Sequence, residues 1–136
     1  MIETDINAVQ AAVYRFFLGL DRRDHHMVAE LMARTGVWHR QGVQLMGPDA
    51  VLAALEERDA KRHTAHTITN LWLESMTANS ARARYYLVAY ETKLDEMNKE
   101  SVPKLLGIRE CIDDFILEDG NWRVQNKQST RLLPSQ

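Results

Sequence analysis

The spacing of apolar residues changes once along this chain, from a helical period to a strand-like one, and this limits the available folds. Near the start, apolar residues recur at three- and four-residue steps: Ile6, Val9, Val13, Phe16, Phe17 and Leu20. That spacing places them on one face of a long amphipathic helix. From His63 onward, segments rich in β-branched and aromatic residues follow one another, as is typical of β-strands. Helices therefore come first and strands last.

Two further helices are predicted before the long run of strands that starts at His63. The helical pattern continues over residues 27–32, in a segment that we expect to end near Gly36, because glycine commonly terminates helices. The segment "GVWHRQGVQLMG" then predicts a short hairpin that turns at Gln41 and Gly42. The segment "GPDAVLAAL" predicts a third helix, with glycine and proline at its start.

The second half of the chain predicts antiparallel strands joined by tight turns. The last two strands, "LLGIRECIDDFILE" and "NWRVQNKQSTRLL", are connected through Asp119 and Gly120, a strong hairpin signal. This order indicates an α+β fold in which three N-terminal helices cover one face of a curved, mainly antiparallel sheet. A curved sheet covered in this way forms a half-open cone, and the open end of the cone is its mouth. The length of 136 residues fits one domain over residues 1–136.

Composition excludes several classes of partner. Seventeen basic and nineteen acidic residues give a net charge of −2, and the charges are interspersed, so we expect no nucleic-acid partner and no membrane surface. No apolar run approaches the roughly 20 residues of a membrane-spanning helix, and the N-terminus lacks a signal pattern. Cys111 is the only cysteine, which excludes an internal disulfide. A small neutral organic ligand and a cytoplasmic location are the expectations.

Asp21 and His66 are the polar residues with most potential for chemistry, although each also has an ordinary structural interpretation. An aspartate at a helix end is commonly solvated, and a lone histidine on a strand face is commonly a hydrogen-bonded structural residue. His63 lies three residues before His66, so a strand sends the two to opposite faces, which argues against a shared metal ion. No ligand spacing, glycine-rich loop or G-x-S-x-G motif indicates a metal or a cofactor, and we predict none.

Six segments, in their order and spacing, carry a resemblance to a known family. They are "FFLGLDRRDHHMVAELM", "VWHRQG", "GPDAVLAAL", "TAHTITNLWLE", "ARARYYLVAY" and "CIDDFILEDGNWRVQNK". The chain thereby resembles the SnoaL-like group of the nuclear transport factor 2-like superfamily, which includes polyketide cyclases, scytalone dehydratase and the dehydrochlorinase of hexachlorocyclohexane. The resemblance implies a cone-shaped, cystatin-like α+β barrel with an apolar cavity, and a homodimer or homotrimer formed through the outer sheet face.

The same resemblance implies a catalytic pair. In the dehydratase and the dehydrochlorinase, an aspartate after helix one pairs with a histidine in the long strand after helix three. Asp21 of "LDRRD" and His66 of "TAHTITNL" match these positions. A carboxylate that binds one imidazole nitrogen fixes the tautomer and stabilises the imidazolium, which leaves the other nitrogen to take a proton. His66 would be the base, and Asp21 would orient it.

Strand alternation and the resemblance together predict a cavity wall. Alternation puts Tyr85 and Leu87 on one face of their strand, and the resemblance favours that face inward. Trp38 matches a tryptophan that lines the pocket in the dehydrochlorinase, and Arg40 shares its face in a regular strand. The complete set of predicted substrate-binding residues is Tyr14, Phe17, Trp38, Arg40, Tyr85, Leu87, Phe115 and Lys127.

The last strand has two alternative registers. Strict alternation groups Trp122, Val124, Asn126 and Gln128 on one face. The resemblance instead places Lys127 at a position often held by a cationic residue near the site. One bulge would reconcile the two.

Two hypotheses of function follow. The first is a cofactor-independent lyase or isomerase that removes a proton from a small, largely apolar substrate and then loses water or halide, closes a ring or shifts a double bond. Tyr14, Arg40 and Lys127 are the expected groups for a developing oxyanion. The alternative is a non-catalytic ligand-binding or assembly module of the same fold, such as the small subunit of ring-hydroxylating dioxygenases.

Overall fold

The structure is a computed structural model that describes the backbone of residues 3–135 and the side chains of residues 5–135. The helices are α1 (Glu3–Arg22), α2 (His25–Glu30) and α3 (Gly47–Glu56), and the strands are β1 (Met32–Arg40), β2 (Val43–Met46), β3 (Arg62–Met76), β4 (Ser80–Lys93), β5 (Lys104–Glu118) and β6 (Asn121–Leu133). The strands form one open sheet in the order β2-β1-β6-β5-β4-β3. Only β1 and β6 pair in parallel. The predicted α+β fold is confirmed.

The core lies between α1 and the inner face of the sheet. Within the apolar stripe of α1, Val9, Val13 and Phe16 are fully buried, and the helix contacts β3, β4 and β6. On β4, alternate residues such as Tyr85 and Leu87 face this core, as strand alternation predicts. No helix within residues 3–135 combines the length and the apolarity needed to cross a membrane.

Both predicted hairpin turns are present. Gln41 and Gly42 connect β1 to β2 and both have positive φ, at 52° and 79°. Asp119 and Gly120 connect β5 to β6, with φ of 52° and 77°. Two consecutive residues of positive φ are characteristic of the type I′ turn, whose twist matches that of the strands it joins.

The helix end predicted at Gly36 is wrong. Helix α2 ends at Glu30, and Gly36 lies inside β1. The backbone carbonyl of Leu31, one residue after α2, accepts a hydrogen bond from the N–H of Val124 on β6, at 2.7 Å. A Cβ atom at Gly36 would lie 2.2 Å from the carbonyl oxygen of Val124. Glycine is therefore needed here because two backbones approach closely, and not because a helix stops.

A bulge in β6 settles the register of the last strand. The pairing between β5 and β6 shifts at Gln125, which has no partner on β5. Beyond this extra residue, Lys127 is buried on the same inner face as Val124, whereas Gln128 is exposed. The strictly alternating register is wrong, and the bulged register is confirmed.

Candidate active site

Asp21 and His66 meet where the end of α1 crosses β3. Atom Nδ1 of His66 lies 2.6 Å from Oδ1 of Asp21. The backbone N–H of His66 donates to Oδ2 at 2.8 Å, and the hydroxyl of Thr64 donates to Oδ1 at 2.9 Å. Three hydrogen bonds thus hold one carboxylate against a segment that lies more than forty residues away in sequence. The predicted contact between the two residues is present.

The ionisation of Asp21 determines which imidazole nitrogen is free. Burial by itself would raise the pKa of Asp21, but the hydrogen bonds and charge of His66 and the hydroxyl of Thr64 outweigh it, so the pKa is lowered. An ionised carboxylate can only accept hydrogen bonds, so Nδ1 of His66 must carry a hydrogen. Atom Nε2 is then the one that can take up a proton.

The ring of His66 faces a cavity of about 530 Å³ at the mouth of the cone. Its side chain is 12% exposed and packs against Phe17, with ring centroids 5.2 Å apart. The apolar wall is formed mainly by Phe17, Leu20, Trp38, Leu87, Ala89 and Ile108. A volume of this size suits a small organic molecule. Nowhere in the described chain do three or more His, Cys, Asp or Glu side chains converge as a metal site requires.

A buried polar trio lies behind the cavity, and of its members only Lys127 lines the cavity wall. The ammonium of Lys127 donates to the carboxylate of Asp113 at 3.0 Å and to the hydroxyl of Tyr85 at 2.8 Å. That hydroxyl donates to Asp113 at 2.7 Å. Burial, together with the charge of Asp113, raises the pKa of Tyr85 well above its usual range, so the phenol stays neutral. The ammonium of Lys127 also lies 4.2 Å from the ring centroid of Phe16.

Five of the eight predicted substrate-binding residues line the cavity: Phe17, Trp38, Arg40, Leu87 and Lys127. The placement of Tyr14 is wrong, since its side chain is 50% exposed on α1, about 100° around the helix from the buried Val13. Phe115 is fully buried, but it does not line the cavity, because β5 contributes only residues between Leu106 and Cys111 to the cavity wall. Tyr85 is buried too, and it reaches the site only through its contact with Lys127.

Asp113 was not predicted as a site residue, although the sequence contains a signal for it. It alternates with Cys111 and Phe115 on β5, and these three residues are all buried on the inner face. A carboxylate at an inward strand position must find a partner, because a buried charge without one is very costly. Its partner Lys127 comes into place only through the bulge in β6.

Cys111 is expected to resist alkylation in the native protein. Its side chain is buried, and burial raises the pKa of the thiol to about 12. Because the thiolate is the reactive form, iodoacetamide at mildly alkaline pH should label the native protein far more slowly than the unfolded one. Mass spectrometry with and without denaturant measures this. Equal labelling rates would show that the inner wall opens readily.

Comparisons with known proteins identify the family. Residues 3–128 match the model of the SnoaL-like domain. Solved structures of similar fold include three from Novosphingobium aromaticivorans. One is a candidate scytalone dehydratase (17% identity, TM-score 0.81, 96% of this chain and 85% of that chain). The others are a nuclear transport factor 2-like protein with a cystatin-like fold (16%, 0.79, 97% and 84%) and a candidate aromatic ring hydroxylase (15%, 0.83, 98% and 93%). No curated protein matches the chain significantly. Because the family model spans nearly the whole chain, the protein belongs to the SnoaL-like domain family.

Proposed function

We propose that the protein is a cofactor-independent lyase or isomerase in which His66 removes a proton from a small organic substrate. The observation that carries the proposal is the 2.6 Å contact between Nδ1 of His66 and Asp21, on a ring that lines a largely apolar cavity. This is the arrangement that general base catalysis needs: an oriented imidazole, a free nitrogen, and a site large enough for the substrate.

The proposed step begins with transfer of a substrate C–H proton to Nε2 of His66. The electron pair left on carbon forms a new C=C bond, and the bond to a leaving group on the neighbouring carbon breaks. In a dehydration, the imidazolium returns its proton to the departing hydroxyl, which leaves as water. Asp21 stays ionised throughout and stabilises the imidazolium between the two transfers.

Negative charge that develops on the substrate needs a nearby cation. Tyr14 lies outside the cavity, but Arg40 and Lys127 both line it. The ammonium of Lys127 is already bound to Asp113 and Tyr85, which fixes its position. A fixed positive group stabilises a developing oxyanion without having to reorganise during the reaction.

Turnover that depends on His66 is the expected result. Wild type and His66→Gln would be incubated in deuterium oxide with a panel of hydroxylated and ketonic ring compounds. Nuclear magnetic resonance would follow product formation and the exchange of C–H for deuterium. Loss of a general base typically costs roughly 10²–10⁴-fold in rate, and we expect a decrease in that range for His66→Gln.

His63→Gln is the matched control, because His63 lies three residues away and its side chain is 46% exposed. It should leave turnover unchanged. Turnover that is indifferent to His66→Gln would contradict the proposal. Binding of panel compounds without turnover or exchange would favour the alternative, a ligand-binding or assembly module. The homodimer or homotrimer stays a prediction of the family resemblance, and the small apolar ligand and the cytoplasmic location stay predictions from the sequence.

A further inference from the structure

The lining of the cavity is strongly cationic. Its charged side chains are Arg40, Arg58, Arg62, Arg109, Arg131 and Lys127. No aspartate or glutamate of the described chain lines it. The chain as a whole has a net charge of −2, so this concentration of positive charge is local. A cleft lined by one sign of charge raises the local concentration of ligands of the opposite sign.

Two of these six cations are paired with carboxylates of the protein itself. Lys127 is paired with Asp113 at 3.0 Å, and Arg62 with Glu91 at 2.5 Å. The other four, among the residues whose side chains are described, form no salt bridge with a carboxylate. The positive charge of the cavity therefore exceeds what the described carboxylates cancel by direct pairing.

Three of the arginines, Arg40, Arg58 and Arg62, converge beside the Asp21–His66 pair from different segments. Arg58, which follows α3, donates to the backbone carbonyl of Leu20 at 3.0 Å and to the hydroxyl of Thr64 at 3.4 Å. Thr64 is the residue whose hydroxyl binds Asp21. The guanidinium of Arg40, at the end of β1, lies 5.5 Å from the ring centroid of Trp38.

The electrostatics of this cluster agree with its geometry. The pKa of Arg58 is lowered to about 10, first by burial and then by the charges of Arg62, Arg23 and Arg40. Burial and the charge of Arg62 lower the pKa of Arg40 as well. The guanidiniums thus destabilise one another. An anion bound among them would remove that repulsion and form charge-assisted hydrogen bonds.

We propose that the ligand of this cavity carries an oxyanion group, a carboxylate or a phosphate, which Arg40 and Arg58 hold at the mouth while the apolar body lies against Phe17 and Trp38. The planar guanidinium suits either group, because it presents paired N–H donors. That this ligand is also the substrate of His66 rests on the proposed function. The binding preference itself does not, since it can be measured without turnover.

The preference is tested with three probes of one apolar body: 2-naphthoate, 2-naphthyl phosphate and the neutral 2-naphthamide. Titration calorimetry reports binding to the wild-type protein, and so does tryptophan fluorescence, to which Trp38 in the cavity contributes together with Trp72 and Trp122. We expect at least one of the two anions to bind about tenfold or more tightly than the amide. The anion that binds more tightly identifies the charge class. Its affinity should fall as salt is added, and that of the amide should not.

Arg40→Gln provides the second arm. The side chain of Arg40 makes no hydrogen bond to another described residue, so its replacement should leave the fold intact, which a thermal unfolding curve checks. We expect it to weaken anion binding about tenfold and to leave amide binding nearly unchanged. The matched control is Arg22→Gln, which makes the same change of charge on an exposed residue outside the cavity. It should have little effect.

Three outcomes overturn the proposal: equal affinity for the amide and both anions, equal weakening by Arg40→Gln and Arg22→Gln, or no binding of any probe. Anion preference without His66-dependent turnover would leave this inference standing and remove the proposed function. Turnover of neutral compounds without anion preference would do the reverse.

Discussion

Asp113→Ala is expected to lower the free energy of unfolding by about 3–5 kcal/mol, the usual cost of removing one partner from a buried ion pair. The side chains of Asp113 and Lys127 are only 1% and 5% exposed. Without the carboxylate, the ammonium keeps only the hydroxyl of Tyr85 as a polar partner, beside the rings of Phe16 and Phe17. The charge of Lys127 would then be buried without compensation.

Urea unfolding followed by circular dichroism measures this loss. The neighbouring Asp114 is the matched control, because its side chain points to the outer face, is 29% exposed and pairs with Arg82 at 2.7 Å. Exposed ion pairs contribute little, so Asp114→Ala should shift the unfolding midpoint far less. Equal shifts for the two variants would show that the buried pair of Asp113 and Lys127 contributes no more to stability than the exposed pair of Asp114 and Arg82.

A double variant separates the loss of a contact from the burial of a lone charge. Asp113→Leu combined with Lys127→Met removes both charges and refills the space with apolar atoms. Replacing a buried ion pair in this way is often neutral or stabilising, so the double variant should be more stable than Asp113→Ala. A double variant that is less stable than the single one would contradict this explanation.

The parts of the fold that the sequence predicted well are those determined by short-range chemistry. The turn at Asp119 and Gly120 requires two residues that tolerate positive φ, and local sequence shows this directly. The stripe from Val9 to Leu20 identifies α1 because one apolar face over several turns is distinctive. The contact between Asp21 and His66 is long-range, and it was predicted from family resemblance, not from the pattern.

Long-range backbone contacts explain what the pattern could not predict. The segment over residues 27–32 has helical spacing, but it is too short for spacing to distinguish a helix from the start of a strand. Pairing with β6 determines where the strand starts, because the carbonyl of Leu31 accepts from the N–H of Val124 and Gly36 packs against the carbonyl of Val124. Neither contact has a signature within α2 or β1.

Composition could not predict the cationic cavity either. Its arginines come from the end of β1, the segment after α3 and strands β3, β5 and β6, and acidic residues separate them along the chain. Interspersed charges and a net charge of −2 therefore favoured a neutral ligand. The sheet topology brings these arginines together around the cavity, and no aspartate or glutamate of the described chain lines it.

Asp21→Asn is expected to reduce kcat/KM by roughly 10²–10⁴-fold on any substrate that the wild type turns over, because His66 loses the group that sets its tautomer. In the wild-type protein, the two carboxylate oxygens of Asp21 together accept three hydrogen bonds. Asparagine offers only one oxygen, and its NH2 group must replace the other. At least one donor on the β3 side therefore loses its acceptor in either orientation of the amide.

Each orientation impairs His66 in a different way. If the NH2 group faces the ring, it donates to Nδ1, which moves the remaining hydrogen to Nε2 and removes the base. If the oxygen faces the ring, the tautomer is kept, but the NH2 group opposes the backbone N–H of His66, and no carboxylate stabilises the imidazolium. Nitrogen-15 shifts of the imidazole distinguish the two cases, a readout that a general loss of stability would not reproduce.

Asp24→Asn is the matched control, because Asp24 lies three residues away on the surface and caps α2 by accepting from the N–H of Met27, which asparagine does equally well. It should leave kcat/KM unchanged.

The pH dependence of Tm is a second readout for Asp21→Asn. Since the pKa of Asp21 is lowered on folding, its stabilisation is present above the ordinary carboxyl value of 3.8 and is lost as the pH falls further. Wild type and Asp21→Asn should differ in Tm near neutral pH and converge only in strong acid. Full activity in Asp21→Asn, with unchanged imidazole shifts, would remove Asp21 from the mechanism.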